Sequence, residues 1–128
     1  MKGVHILVVD DEPHVTLVIE HAGQVWGADV HTAHTLEEAR TVLSETPHID
    51  VLLLDIRLPD GSGLEFLDEL REQEPTKDMP VIILTGAGEN QLMSGADRRG
   101  VRCVTKPFSP SKLGRMIAEL IGSDPDDA

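Results

Sequence analysis

A small set of polar and charged residues directly follows short apolar runs along the chain. Its members are Asp10, Asp11, Glu12, Asp55, Thr85 and Lys106. Carboxylates packed together cannot all stay ionised without a counter-ion, and a hard divalent cation such as Mg²⁺ prefers oxygen ligands of this kind. A carboxylate beside such a cation can attack phosphorus and form an aspartyl-phosphate. Lys106 would then neutralise phosphoryl oxygens as a point charge, and Thr85 would donate a hydrogen bond to one of them.

The segments that would position these residues alternate between strand-like and helix-like patterns. The predicted strands are 5–9, 28–32, 51–54, 81–84 and 101–105. The predicted helices are 13–26, a helix capped by Thr35, a helix carrying 64–70, a weak glycine-broken helix at 86–99, and 110–121. Because several strands are apolar without interruption, helices must cover both faces of a parallel sheet. Sites in such sheets form beyond the carboxyl ends of the strands, where the polar set lies.

Size, charge and composition exclude several function classes. The chain has 128 residues, 40% of them hydrophobic, which suits one folded domain. Its net charge of −12 repels phosphate backbones, so we expect no direct nucleic-acid binding. No apolar run approaches the roughly 20 residues that cross a bilayer, and no signal-peptide pattern is present, so we expect a cytoplasmic protein without membrane association. A single cysteine, Cys103, excludes an internal disulfide.

Four short motifs follow one another along the chain. They are VVDDEP at 8–13, LDIRLPDGSG at 54–63, LTG at 84–86 and TKPF at 105–108. Each lies at the end of a predicted strand, and together they resemble the receiver domain of two-component response regulators. The resemblance covers about residues 4–121. We therefore expect a receiver domain at 1–122, followed at 123–128 by an acidic tail or the start of a linker.

The resemblance implies a fold and a phosphorylation site. The fold is a doubly wound, flavodoxin-like three-layer α/β sandwich, whose five parallel strands have the order 2-1-3-4-5. Asp55 resembles the phospho-acceptor, and Asp11 resembles the carboxylate that contacts Mg²⁺ directly. Asp10 resembles the acid that acts on Mg²⁺ through water. The backbone carbonyl of Arg57 resembles a further ligand, beside Asp55 itself.

The resemblance also implies how a signal is received and passed on. Thr85 matches the switch hydroxyl, Lys106 matches the ammonium that binds the phosphoryl group, and the Lys106–Pro107 bond is expected to be cis. The phosphoryl group would come from a sensor histidine kinase or a histidine phosphotransfer domain. The fourth helix, fifth strand and last helix would bind a downstream protein target or a fused output domain. The chain would act as a switch rather than an enzyme, as a monomer or a phosphorylation-dependent dimer.

Three features depart from the family pattern. Cys103 stands three residues before the lysine, where receivers usually carry Tyr or Phe, so the usual aromatic relay is missing. Gly100 lies one residue nearer the lysine than is usual, which predicts a reshaped loop before the fifth strand. Arg57 and Ala87 occupy the variable positions that, in the family, tune how water reaches the acyl phosphate.

Other interpretations of the same residues stay open at the level of sequence. Asp10 and Asp11 alone could simply favour the start of the first helix. A pseudo-receiver would signal without phosphate, and only Cys103 favours it. A phosphatase of the haloacid-dehalogenase type forms an aspartyl-phosphate but carries an acid two residues after the nucleophile, where this chain has Arg57. A flavodoxin-like electron carrier needs a phosphate-binding loop after the first strand, where acids would repel phosphate.

Overall fold

The computed structural model describes residues 1–46, 48–86 and 95–122. The strands of the main sheet are β1 (His5–Val9), β2 (Asp29–Ala33), β3 (Val51–Asp55), β4 (Val81–Thr85) and β5 (Arg102–Thr105). The helices are α1 (Pro13–Trp26), α2 (Leu36–Glu45), α3 (Gly63–Arg71) and α5 (Pro110–Ile121), and the helical residues 95–98 are labelled α4. A short antiparallel hairpin pairs Arg57–Leu58 with Gly61–Ser62. The sequence therefore predicted the strands of the main sheet and helices α1, α2, α3 and α5 to within a residue or two, but it did not predict the hairpin.

All neighbouring strands of the main sheet run parallel, in the order β2-β1-β3-β4-β5. This confirms the doubly wound, flavodoxin-like α/β fold and the order 2-1-3-4-5. Four of the five strands differ from their predicted bounds by one residue, and β3 and β4 do so by extending to Asp55 and Thr85. The second strand begins at Asp29 and extends to Ala33, and the fifth begins at Arg102. The second strand starts where its pairing with β1 starts, at His5 opposite Asp29. Before the fifth strand, the N–H of Val101 donates to the carbonyl of Ala96 at 3.3 Å.

Two apolar layers lie on opposite faces of the sheet. Leu52 and Leu54 of β3 face the layer that contains Phe66 of α3. Leu53, between them, faces the layer that contains Ile19 of α1 and Ile117 of α5. Successive side chains of a strand point to opposite faces, so an uninterrupted apolar strand contributes to both layers. The sheet is thus covered on both sides, as the sequence predicted.

Helix ends follow local chemistry. Thr35 caps α2, where its hydroxyl accepts the backbone N–H of Glu38 at 3.1 Å. The Glu38 carboxylate accepts the N–H of His34 at 3.1 Å, so the predicted capping box closes one residue earlier than its usual form. Gly27 ends α1 in the left-handed conformation, with φ of 79°. Ser62 and Ser109 cap α3 and α5, which the sequence analysis did not anticipate.

Two predicted segments lie partly or wholly outside the described residues. Of the expected fourth helix at 86–99, residues 95–98 are helical, whereas Ala87 falls outside the description. The expected tail at 123–128 is also outside it. Among the described helices, none has the length and apolar character required to span a bilayer.

Candidate functional site

The carboxyl ends of β1, β3, β4 and β5 meet at one edge of the sheet. Asp55 and Thr85 are the last residues of β3 and β4, and Asp10 directly follows β1. The backbone N–H of Lys106 donates to the carbonyl of Thr85 at 2.6 Å, which carries the pairing of the two strands one residue further. The pairing of β4 with β5 therefore places Lys106 at the same edge of the sheet as the carboxylates.

Four carboxylates form a cluster at this edge. Asp10, Asp11, Glu12 and Asp55 each offer an oxygen within 4.8 Å of the others. Within the described parts of the chain, only this group brings three or more acidic, imidazole or thiol ligands so close together. Asp10 and Asp55 are buried, whereas Asp11 is exposed to solvent. The cluster thus has a buried floor and one side open to water.

Lys106 lies inside the cluster, with only 12% of its side chain exposed. Its Nζ donates to Glu12 at 2.8 Å, to Asp10 at 3.0 Å and to Asp55 at 3.5 Å. Burial by itself would lower the pKa of Lys106, but the hydrogen bonds to Glu12 and Asp10 and the charges of Asp10 and Asp55 raise it above its ordinary value. Lys106 is therefore a fixed cation and serves as counter-ion to the acids.

Glu12 is the residue whose role the sequence analysis missed. Its Oε1 is the closest carboxylate oxygen to Lys106, and the hydrogen bond from Lys106 lowers the pKa of Glu12, against the opposing effect of burial. Asp10 Oδ1 accepts the backbone N–H of Glu12 at 2.9 Å, which turns the chain so that Glu12 can reach the lysine. In the sequence, the only sign of this role was the position of Glu12 in the acidic run after β1.

The loop after Asp55 is held tightly by backbone contacts. The N–H of Gly63 donates to the carbonyl of Ile56 at 2.7 Å, and a Cβ at position 63 would collide with the backbone oxygen of Asp55. Glycine therefore lets α3 begin directly against the backbone of the expected acceptor. Arg57 is the first residue of the hairpin and is exposed to solvent.

Asp60 ties the same loop to α2. Its two carboxylate oxygens accept the N–H groups of Leu36 and Glu37 at 2.8 Å and 3.0 Å. The hydrogen bond from Leu36 is the main reason that the pKa of Asp60 lies below its ordinary value. The start of a helix offers free N–H groups to an anion, so this contact fixes the hairpin that follows Asp55.

The remaining predicted residues lie around the cluster. Thr85 is buried at the end of β4, and the Lys106–Pro107 bond is cis, as expected. Cys103 pairs with Ile83 in the middle of β5. It is half-buried rather than buried, and desolvation raises the pKa of its thiol. That environment suits a small packing residue better than a reactive thiol.

The donor set fits a hard divalent cation. All four clustered side chains offer carboxylate oxygens, and no thiol or imidazole among the described residues joins them closely enough to share one ion. Oxygen ligands with room for water are what Mg²⁺ requires. Within the cluster, Asp11 is exposed to solvent and Asp55 is buried at the end of β3.

Comparisons with known proteins agree with this geometry. The family model for the response regulator receiver domain matches residues 6–118. The phosphate regulon transcriptional regulatory protein PhoB of Pseudomonas aeruginosa is 35% identical over 130 residues, covering 100% of this chain and 56% of that protein. A response regulator receiver domain protein from Clostridium thermocellum matches with TM-score 0.83 and 31% identity over 93% of this chain and 94% of that one. A CheY-like receiver domain protein from Methanospirillum hungatei matches with TM-score 0.82 and 27% identity over the same shares.

Fold, site and similarities together define a phospho-accepting signalling domain. The chain belongs to the response regulator receiver domain family of two-component systems. Phosphorylation and Mg²⁺ binding are general features of that family. The chain spans about half the length of the PhoB relatives it matches, at 56% and 51% of their lengths.

Proposed function

We propose that Asp55 accepts a phosphoryl group from a sensor histidine kinase or a histidine phosphotransfer domain, with Mg²⁺ bound by Asp10, Asp11, Asp55 and the carbonyl of Arg57. One observation carries the proposal. A buried aspartate at the end of the central strand shares its edge with three further acids and a lysine held 3.5 Å away. Burial makes these charges expensive unless a ligand or a reaction uses them.

Each residue has a separate task in the transfer. An oxygen of Asp55 forms the new P–O bond, while the P–N bond to the donor imidazole breaks and the imidazole nitrogen keeps the electron pair. Bound Mg²⁺ supplies positive charge that offsets the phosphoryl oxygens. Lys106, already a fixed cation 3.5 Å from Asp55, turns its Nζ from Glu12 towards the phosphoryl group. Thr85 donates its hydroxyl to another phosphoryl oxygen.

The output is a change of binding surface rather than catalysis on a separate substrate. We infer that α4, β5 and α5 carry it, since Thr85 and Lys106 border β5. The recipient is a downstream protein target or a fused output domain, reached by a monomer or a phosphorylation-dependent dimer. The PhoB relatives, named as transcriptional regulatory proteins, are about twice as long, which fits an output domain beyond the receiver. We place this signalling in the cytoplasm.

Intact-mass spectrometry tests the assignment. The chain is incubated with acetyl phosphate and Mg²⁺, and we expect one added phosphoryl group in the native protein and none in Asp55→Asn. Asp97→Asn changes an exposed aspartate and should gain phosphate like the native chain. An Asp55→Asn protein that gains the same mass would show that another residue is the acceptor. A native chain that gains no mass would favour the pseudo-receiver interpretation.

A further inference from the structure

Two histidines lie side by side across β1 and β2, His5 at the start of β1 and His31 in the middle of β2, away from the edge that carries Asp55. His5 Nδ1 and His31 Nε2 are 3.2 Å apart, and both residues are half-buried. We propose that this pair binds a divalent ion of the zinc, nickel and copper class, with water completing the coordination.

The distance between the two nitrogens suits such an ion. Two imidazole nitrogens about 2.0–2.1 Å from a tetrahedral ion are roughly 3.3 Å from each other. The ring planes differ by 22°, and the ring centroids lie 5.4 Å apart, well beyond the 3.2 Å between the nitrogens. The nitrogens therefore point towards each other rather than past each other, and each ring would turn by roughly 35° to aim its lone pair at a shared tetrahedral ion.

The strand register holds the pair in place. His5 pairs with Asp29, and His31 follows Asp29 by two residues on β2, so the three side chains lie on one face of the two strands. The N–H of His5 donates to Asp50 Oδ2 at 2.7 Å, and the N–H of Asp29 donates to the carbonyl of Val4 at 2.8 Å. The two ligands are thus preorganised by backbone hydrogen bonds.

The carboxylate of Asp29 lies near the second ring nitrogen of His5, one of the two proposed ligands. Asp29 Oδ2 lies 3.8 Å from His5 Nε2, the ring nitrogen that does not face His31. Metal-bound imidazoles commonly direct their second nitrogen towards a carboxylate, which fixes the tautomer and raises the basicity of the ligand. Asp50 and His48, joined at 2.6 Å, add another acid and imidazole nearby.

The donor type separates this site from the one at the edge that carries Asp55. The cluster around Asp55 offers only oxygen and suits Mg²⁺, whereas imidazole nitrogen suits zinc, nickel and copper. The N···N contact also requires a proton on one of the two rings. When the ion binds, the donating ring takes its other tautomer, so that the proton moves to the ring nitrogen that faces away from the ion.

Isothermal titration calorimetry with ZnCl₂, and separately with NiCl₂, tests the site in the presence of excess MgCl₂. We expect one ion per native chain, and binding at least about tenfold weaker in both His5→Gln and His31→Gln. His21→Gln alters an exposed histidine of α1 and should bind like the native chain.

The following results would overturn the proposal. Either the native chain binds neither ion, or His31→Gln binds both as tightly as the native chain does. Phosphorylation of each variant by acetyl phosphate shows that the fold is intact, since the two edges share the sheet. Binding that is lost in Asp11→Ala and kept in His31→Gln would assign the ion to the acidic cluster, which also overturns the proposal.

Discussion

The two ends of the parallel sheet carry different kinds of polar chemistry. At the carboxyl end, buried Asp10 and Asp55 surround a lysine whose side chain is 12% exposed. At the amino end, His5 and His31 meet through a single hydrogen bond, with 35% of the His5 side chain exposed. Residues from four strands converge at the first end, whereas two adjacent strands supply the second. The number of strand ends that converge decides how much charge can be concentrated.

The contrast has an energetic consequence. Charges taken out of water are costly unless they remain paired, so the carboxyl end depends on Lys106 or a metal cation. The imidazoles at the amino end are half-buried and remain in contact with water, so the loss of one partner costs less there. The same sheet therefore has one end that is unstable without its counter-ion and one end that tolerates change.

Replacing Lys106 should produce the largest difference in stability between the two ends of the sheet. In metal-free buffer we expect Lys106→Met to lower the free energy of unfolding by about 3 kcal/mol, because it leaves buried acids uncompensated. His31→Gln at the opposite end should lose no more than about 1 kcal/mol, the value of one partly exposed hydrogen bond. Urea unfolding measures both. Mg²⁺ should restore part of the loss in Lys106→Met by binding the folded state, and equal losses at the two ends would contradict this account.

Asp11→Ala should act in the opposite direction. Asp11 adds negative charge to a cluster that already contains three other acids. Without Mg²⁺, its removal should raise the free energy of unfolding by up to about 1 kcal/mol through relief of repulsion. The same variant should lose most of its Mg²⁺ affinity and its phosphorylation. Thermal unfolding and Mg²⁺ titration measure the two effects, with Glu20→Ala as an exposed control on α1. An unchanged Mg²⁺ titration would remove Asp11 from the ligand set.

Glu12 should give the carboxyl end a dependence on acid. The hydrogen bond from Lys106 lowers the pKa of folded Glu12 below its ordinary value of 4.5. The stability from this contact is therefore fully present above that ordinary value and is lost as pH falls through the lower folded value. Between about pH 5 and about pH 3, Glu12→Gln should lose less stability than the native chain. Thermal unfolding across that range measures the difference, and identical pH profiles would show that the contact contributes nothing.

Cys103→Ala should have the smallest effect. The side chain is half-buried and small, and at roughly 25 cal/mol per Å² it can bias a two-state equilibrium only weakly. We expect the variant to keep most of the response to beryllofluoride and Mg²⁺. Hydrogen exchange should change more over residues 86–99 than over β5. Protection changes centred on Cys103, with 86–99 unaffected, would show that β5 carries the signal.

The sequence predicted the fold well because its signals are local. Uninterrupted apolar strands and helical apolar spacing identify elements from neighbours alone, and a parallel sheet then places Asp55 and Lys106 at one edge. The sequence did not predict that Glu12 lies closer to Lys106 than Asp55 does, at 2.8 Å against 3.5 Å. Glu12 and Lys106 are separated by 94 positions in the chain. Which of several nearby acids pairs with the lysine therefore depends on side-chain distances that only the folded structure sets.

Other contacts between distant segments could not be predicted from the sequence for the same reason. The types of residue after each strand determined by themselves that this protein has an acidic edge whose oxygen atoms fit a divalent cation. Only the tertiary structure decided that Gly63 must lack a side chain beside Asp55, that Asp60 holds α2, and that the strand register brings His5 to His31. Composition and spacing specify which groups are available, but pairing register and close packing decide which of those groups touch.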